Sequence, residues 1–293
     1  MRIVRGIFSG IFSFVLVATL VTLGIVITVN LTILKPDFVV SEFDKLDIYS
    51  IISDQVKNQI PTEEPYIAQI ADETITELEP WLKDQVNTVI YEGYAYLKGD
   101  QELNIVIPLE QVRTCLKDNV EQAVLESPPP ELEGASQSQI QAFLSYIYAE
   151  IDNQVPPQIE ITESTVGPEV TAQLQKARQI VNYIEIGYKA LIGLAVLLVL
   201  FIALLQWWHI KPIGHHVGIA FTVAGSTGLV GTIAAKSFIP RAIPNIPPEI
   251  MSRLPQLISD FTSPLQIYSI ALLIAGIGLI VLSIKLKSPG YAP

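Results

Sequence analysis

A single cysteine, Cys115, leaves this 293-residue chain no partner for an intramolecular disulfide. Any folded domain in it is held by packing alone, which fits a prokaryotic cell surface better than a disulfide-stapled secreted scaffold. Histidine is nearly as scarce. His209, His215 and His216 are the only three, and they share one short segment with no Cys, Asp or Glu to complete a metal site. In the membrane topology expected below, they lie across the membrane from most of the carboxylates, which removes a Ser-His-Asp arrangement using the acidic domain. No phosphate-binding glycine loop, no HExxH and no cysteine pair occurs. Charge is thin as well: 16% of residues are charged, against about a quarter in soluble proteins.

What fills the chain instead is apolar. Half of the residues are hydrophobic, and four runs are long enough to cross a bilayer core of about 30 Å. These are Ile7–Val29, Ile186–Trp208, Ile213–Ala235 and Leu265–Ile284. The first follows Arg2 and Arg5, is longer than a signal-peptide core and ends without a small-x-small cleavage site, so it reads as an uncleaved signal anchor.

Charge is partitioned along the sequence. Between Pro36 and Tyr183 stand 26 acidic and 8 basic residues; the rest of the chain holds 3 acidic and 10 basic. An acidic, water-facing domain is thus inserted between the first two spans, and such a surface repels nucleic acid. The short segments MRIVR, HIKPIGHH and KLKSPGYAP carry bases and no acid. By the positive-inside tendency, both termini are expected in the cytoplasm and residues 36–185 outside, in a multi-pass protein of the cell membrane. Trp207 and Trp208 then sit at an aromatic belt. Pro212-Ile213-Gly214 is expected to make the turn, with His209, His215 and His216 as interfacial residues in that loop.

Apolar spacing makes the inserted domain mainly α. Helical patterns cover the stretch after Pro36, the stretch from Pro61 to Leu78 stopped by Pro80, Pro80 to Gly99 with Pro80 at the start and Gly99 as C-terminal cap, Pro108 to Leu125, and Ser136 to Val155. ELNIVIPL and PQIEITES read as two short strands able to pair. The fold class expected is therefore four transmembrane helices plus an α-rich bundle with a small two-stranded β ribbon. From Pro168 one helix is expected to run unbroken into the second span as far as Trp208. Gly187 and Gly193 are tolerated there if neighbours pack around them. Between the last two spans, residues 247–262 read as a separate short amphipathic helix.

No catalytic, cofactor-binding or metal-binding residue is assigned. Carboxylates such as Glu63, Glu64, Asp72, Glu73, Glu77 and Glu79 fall on polar helix faces and read as a solvated acidic surface. Cys115 lies beside an apolar stripe and reads as a buried structural thiol. The third span repeats small residues at Ala220, Ala224 and Gly228. That spacing lets helices approach closely, either within the set of spans or against a protein partner or second copy. The partners expected are the lipid bilayer and a protein, envelope component or small ligand bound by the domain; a transporter or channel subunit is the alternative.

The run Trp81…Tyr94…Leu97-Lys98-Gly99…Ile105…Ile107…Leu109 resembles a pattern in prokaryotic four-span membrane proteins with an acidic helical ectodomain, a resemblance that implies no activity. A helical domain between two spans is also similar to the periplasmic bundles of chemoreceptor-type sensors, although nothing here reads as a cytoplasmic signalling domain. Four spans with one large and one small outer loop is similar to tetraspanins, in which the large loop lies between the last two spans and carries disulfides. Single cysteines introduced by Glu131→Cys and Pro289→Cys should label from opposite sides of the membrane; labelling from one side would overturn the four-span topology.

Overall fold

A computed structural model of the chain describes residues 2–59, 65–129, 132–207, 209–242 and 248–285. Among these lie ten helices and one sheet. The helices are α1 (Arg2–Leu31), α2 (Pro36–Leu46), α3 (Ile48–Lys57), α4 (Pro65–Glu77) and α5 (Glu79–Lys98), followed by α6 (Glu110–Glu126), α7 (Gln137–Gln154), α8 (Gly167–Leu205), α9 (Ile210–Ala242) and α10 (Pro248–Lys285). Strands β1 (Asn104–Pro108) and β2 (Gln158–Thr162) pair antiparallel with Ile105 opposite Ile161 and Ile107 opposite Ile159. Four helices, α1, α8, α9 and α10, are long and apolar enough to cross a membrane. This is the architecture of a multi-pass membrane protein, mostly helical with one small ribbon.

The chain divides into two compact units, one of residues 39–178 and one that joins residues 1–38 to 179–293. In the second of these, α9 and α10 are pressed backbone to backbone. A Cβ on Gly225 would stand 2.6 Å from the Ser269 carbonyl and 2.9 Å from the Leu273 amide. One on Gly276 would stand 2.6 Å from the Thr222 amide. Only glycine admits such an approach, and in lipid it is this van der Waals contact that holds helices together. Leu16 and Leu20 of α1, Leu198 and Ile202 of α8, and Val217, Ala220 and Ala224 of α9 form the apolar centre. Tyr268 of α10 lies against Gly24 of α1 and donates to the Leu20 carbonyl at 3.1 Å.

Three local expectations change. The chain turns out of α8 at Gln206 and Trp207, with Trp207 at φ 51 and the His209 N–H donating to the Gln206 carbonyl at 3.0 Å. Pro212 sits in the first turn of α9, where its missing N–H costs nothing, and His215 and His216 are helical, not in a loop. Residues 248–262 are no separate helix but the start of α10. Leu254 and Ile258 are buried and Lys236 of α9 donates to Ser259 at 3.2 Å, so the segment is laid along α9. The small-residue face is filled within the chain: Ala220 and Ala224 are buried, and Gly228 meets Ser269.

The long helix is continuous from Gly167 to Leu205, while Trp208 lies outside the described residues. Neighbours do not pack around its glycines, because a Cβ at Gly187 or Gly193 would meet open space.

In the unit of residues 39–178, Tyr96, Leu103 and Ile105 are buried together, with Val89, Ile161 and Leu174 packed against them. Strand alternation sends Ile105, Ile107 and Ile161 to that core. Gly99, at φ 85, caps α5 in the left-handed region as glycine readily does. Helix α7 begins at a capping arrangement in which the Ser136 N–H donates to the Gln139 side chain at 2.9 Å.

Two glycine substitutions separate these environments. Gly225→Ala should destabilise the span unit by about 1–3 kcal/mol through overpacking. Gly187→Ala should be neutral or stabilise by about 0.5–1 kcal/mol, since alanine loses less backbone entropy in a helix. Thermal unfolding in detergent compares the two; equal midpoints would contradict the backbone contact.

Candidate functional site

The groups that could carry chemistry are carboxylates, one thiol, several tyrosines and the histidines. Polar side chains meet between α4 and α6. Cys115 Sγ donates to Glu77 Oε2 at 3.2 Å. Asn119 Nδ2 reaches Thr74 Oγ1 at 3.1 Å and Glu77 Oε2 at 3.3 Å. Burial, and then the Glu77 carboxylate, push the thiol up to about 12. A thiol held neutral in this way is a poor nucleophile. Its place is structural: the buried thiol finds its acceptor in Glu77, which Asn119 also bonds.

A second cluster ties α5 to the start of α8. The fully buried Tyr96 donates its hydroxyl to Glu163 at 2.8 Å, and Arg178 lies over its ring at 5.3 Å. Burial raises the phenol, and the hydrogen bond to Glu163 raises it further. The phenol therefore remains a donor across the physiological range. On α6 and α7, Asp152 accepts from Lys117 and pairs with Arg113, both at 2.6 Å. The Lys117 hydrogen bond is the main reason that the Asp152 carboxyl is held low. Tyr148 donates to Glu121 at 2.7 Å, and burial pushes it up to about 12.

The remaining carboxylates behave as a solvated surface. Asp72 pairs with Lys57 at 2.6 Å, Glu73 accepts from Gln69 at 3.0 Å, and both are exposed. Glu63 and Glu64 lie outside the described residues. No three His, Cys, Asp or Glu side chains converge on a common point among the described residues. His209 Nδ1 lies 2.9 Å from the Gln206 carbonyl, and the His215 and His216 rings stand edge to face at 6.1 Å. The structure does not bring these histidines together with a carboxylate cluster.

Open depressions on the described surface include the following. One of about 420 Å³ lies between α1 and α10, lined by Ile27, Leu31, Asp260, Pro264, Ile267 and Tyr268 among others. One of about 460 Å³ is shaped by Glu163, Gly167, Pro168, Thr171 and Gln175. One of about 330 Å³ runs along α6 between Asp118 and Glu126. None encloses a carboxylate pair set up for acid–base work. Compared with protein-family models, with curated proteins and with solved structures, the chain matches none of them.

Sequence reasoning did not find the partners of Cys115 or of Tyr96. Glu77 and Cys115 are 38 residues apart, and Tyr96 and Glu163 are 67 apart. No spacing rule spans such gaps.

Alkylation reads the Cys115 environment directly. With the thiol pushed up to about 12, iodoacetamide at pH 8.5 should modify the folded chain at least about a hundredfold more slowly than the unfolded one. Because the folded value lies above the unfolded one, the stability this thiol contributes is present below its ordinary titration range. It is lost as pH rises toward 12. Glu77→Gln removes the nearby charge and should speed labelling; equal rates in the folded and unfolded chains would refute the buried-thiol assignment.

Proposed function

We propose that this chain is a non-enzymatic surface protein of the cell membrane. Its acidic helical domain is held outside, with both termini in the cytoplasm, and binds a partner protein, an envelope component or a small ligand. The observation that carries this reading is the character of the spans. Ions and protons crossing a membrane use buried ionisable or polar groups, which are expensive in lipid and are retained for function. Here the buried polar residues described in α1, α9 and α10 are serines and threonines. Thr19, Thr28, Thr32, Thr232, Thr262 and Ser283 donate to carbonyls of their own helices. Local bonds of this kind satisfy the hydroxyl and leave no relay.

The domain supplies the binding surface by elimination of chemistry: its thiol is neutral, its buried tyrosines Tyr49 and Tyr96 donate to Asn87 and Glu163, and the acids described above are solvated or paired. A subunit of a transporter or channel is the second reading, favoured by the hydroxyl of Ser269, buried where α10 meets Gly228.

Two measurements decide. Protease added outside intact cells should cut the segment between α6 and α7, where SPPPELEGAS joins them; protection there with cleavage only after permeabilisation would reverse the orientation. Purified chain in sealed vesicles should give no flux of protons, potassium or sodium above empty vesicles, and sustained flux would favour the transporter reading.

A further inference from the structure

We infer that α8 is a lever hinged at its Trp207 end, free to swing against a rigid core of α1, α9 and α10. The inference rests on packing alone and not on the reading of the helical domain. Its first ground is an inequality between helix contacts. The α9–α10 pair is locked through backbone atoms, as the glycine contacts at Gly225 and Gly276 show. Helix α1 is fastened to α10 by Tyr268 against Gly24.

Helix α8 has no such lock. Its buried residues in the membrane half are Leu198, Ile202 and Ala203, within two turns of one another. Around them, Phe201 stacks on Phe12 at 5.6 Å and 15°, and Gln206 donates to Ser9 at 3.2 Å. All of these contacts lie next to the turn into α9. From Asn182 to Leu197 no residue is buried. Gly187 and Gly193, the positions where a neighbour could come closest, face open space.

The second ground is the turn itself. Trp207 holds φ 51, a left-handed conformation that L side chains seldom adopt and that persists where surrounding structure imposes it. The turn is therefore a fixed corner, and the stack of Phe12 on Phe201 is the bearing beside it.

The third ground is the solvent. Lipid tails are as apolar as leucine, so tilting the Asn182–Leu197 stretch away from the core exposes no apolar surface to water. Nothing resembling the hydrophobic effect opposes the swing. Lipid fills the wedge, and the motion falls in the microsecond-to-millisecond class of helix movements.

Pulsed spin–spin distance measurements on the full chain in nanodiscs test this, in a Cys115→Ser background that keeps a donor toward Glu77. Labels go on lipid-facing residues: Ile186 is 55% exposed, Val230 65%, Ile267 67%, Leu204 60% and Ile11 53%. The Ile186–Val230 distance distribution should be about twofold broader, or more, than Val230–Ile267, as expected of a helix end in collective motion. The Ile11–Leu204 pair, at the bearing, should match the narrow Val230–Ile267 control. Phe201→Ala should broaden Ile11–Leu204. A narrow Ile186–Val230 distribution overturns the lever; an Ile11–Leu204 pair as broad as Ile186–Val230, or one unmoved by Phe201→Ala, overturns the hinge.

Discussion

Close approach of two backbones, α9 against α10, is the constraint on which the membrane part of this protein depends. In water, burying apolar side chains would drive such a pairing; in lipid that gain vanishes, and only dense contact and hydrogen bonding remain. Gly225 and Gly276 permit that density by presenting no Cβ to Ser269, Leu273 and Thr222. The groove so formed gives α1 its seat, with Leu16 and Leu20 against Val217, Ala220 and Ala224. Helix α8 is added last and least firmly, through a few large side chains near one end.

The helical domain follows a different physics. It carries far more acid than base, so pairing cannot neutralise it. The bases that exist are placed where they serve twice, as Lys117 does by bonding Asp152 and lying 5.8 Å from the Tyr148 ring centre. Most other carboxylates stay in water, where they cost little. Several polar groups that enter the interior come with partners: Cys115 and Asn119 with Glu77, Tyr96 with Glu163; Ser53 Oγ and Arg113 Nε are buried without one. A buried polar group without a partner would cost more than the hydrogen bond contributes. These networks help to define the interior of the domain.

Much of this plan was legible in the residues themselves. Apolar runs marked four spans because length and composition are local properties that a bilayer imposes directly. Gly99 announced the end of α5, since few other residues accept its backbone angle. Alternation in ELNIVIPL and PQIEITES announced two strands, with Ile105 and Ile107 turned to one face. Pro212-Ile213-Gly214 misled because proline and glycine signal turns in general. Only the position of Pro212 in the first turn of α9, and of Gly214 where a Cβ would stand 3.3 Å from the Leu279 carbonyl, shows why a helix absorbs both.

By itself the sequence determined where the chain is apolar, where it is acidic, and which stretches are helical, because these depend on residues within a few positions of one another. Tertiary structure alone decided which glycines are spacers. Gly225 touches a backbone and Gly193 touches nothing, though both sit in apolar helices. It decided that Leu254 and Ile258 are buried in a segment continuous with α10. It also decided that Cys115 faces a carboxylate. The periodicity of a helix says which side chains share a face; what that face meets is set by other helices, at separations no local pattern encodes.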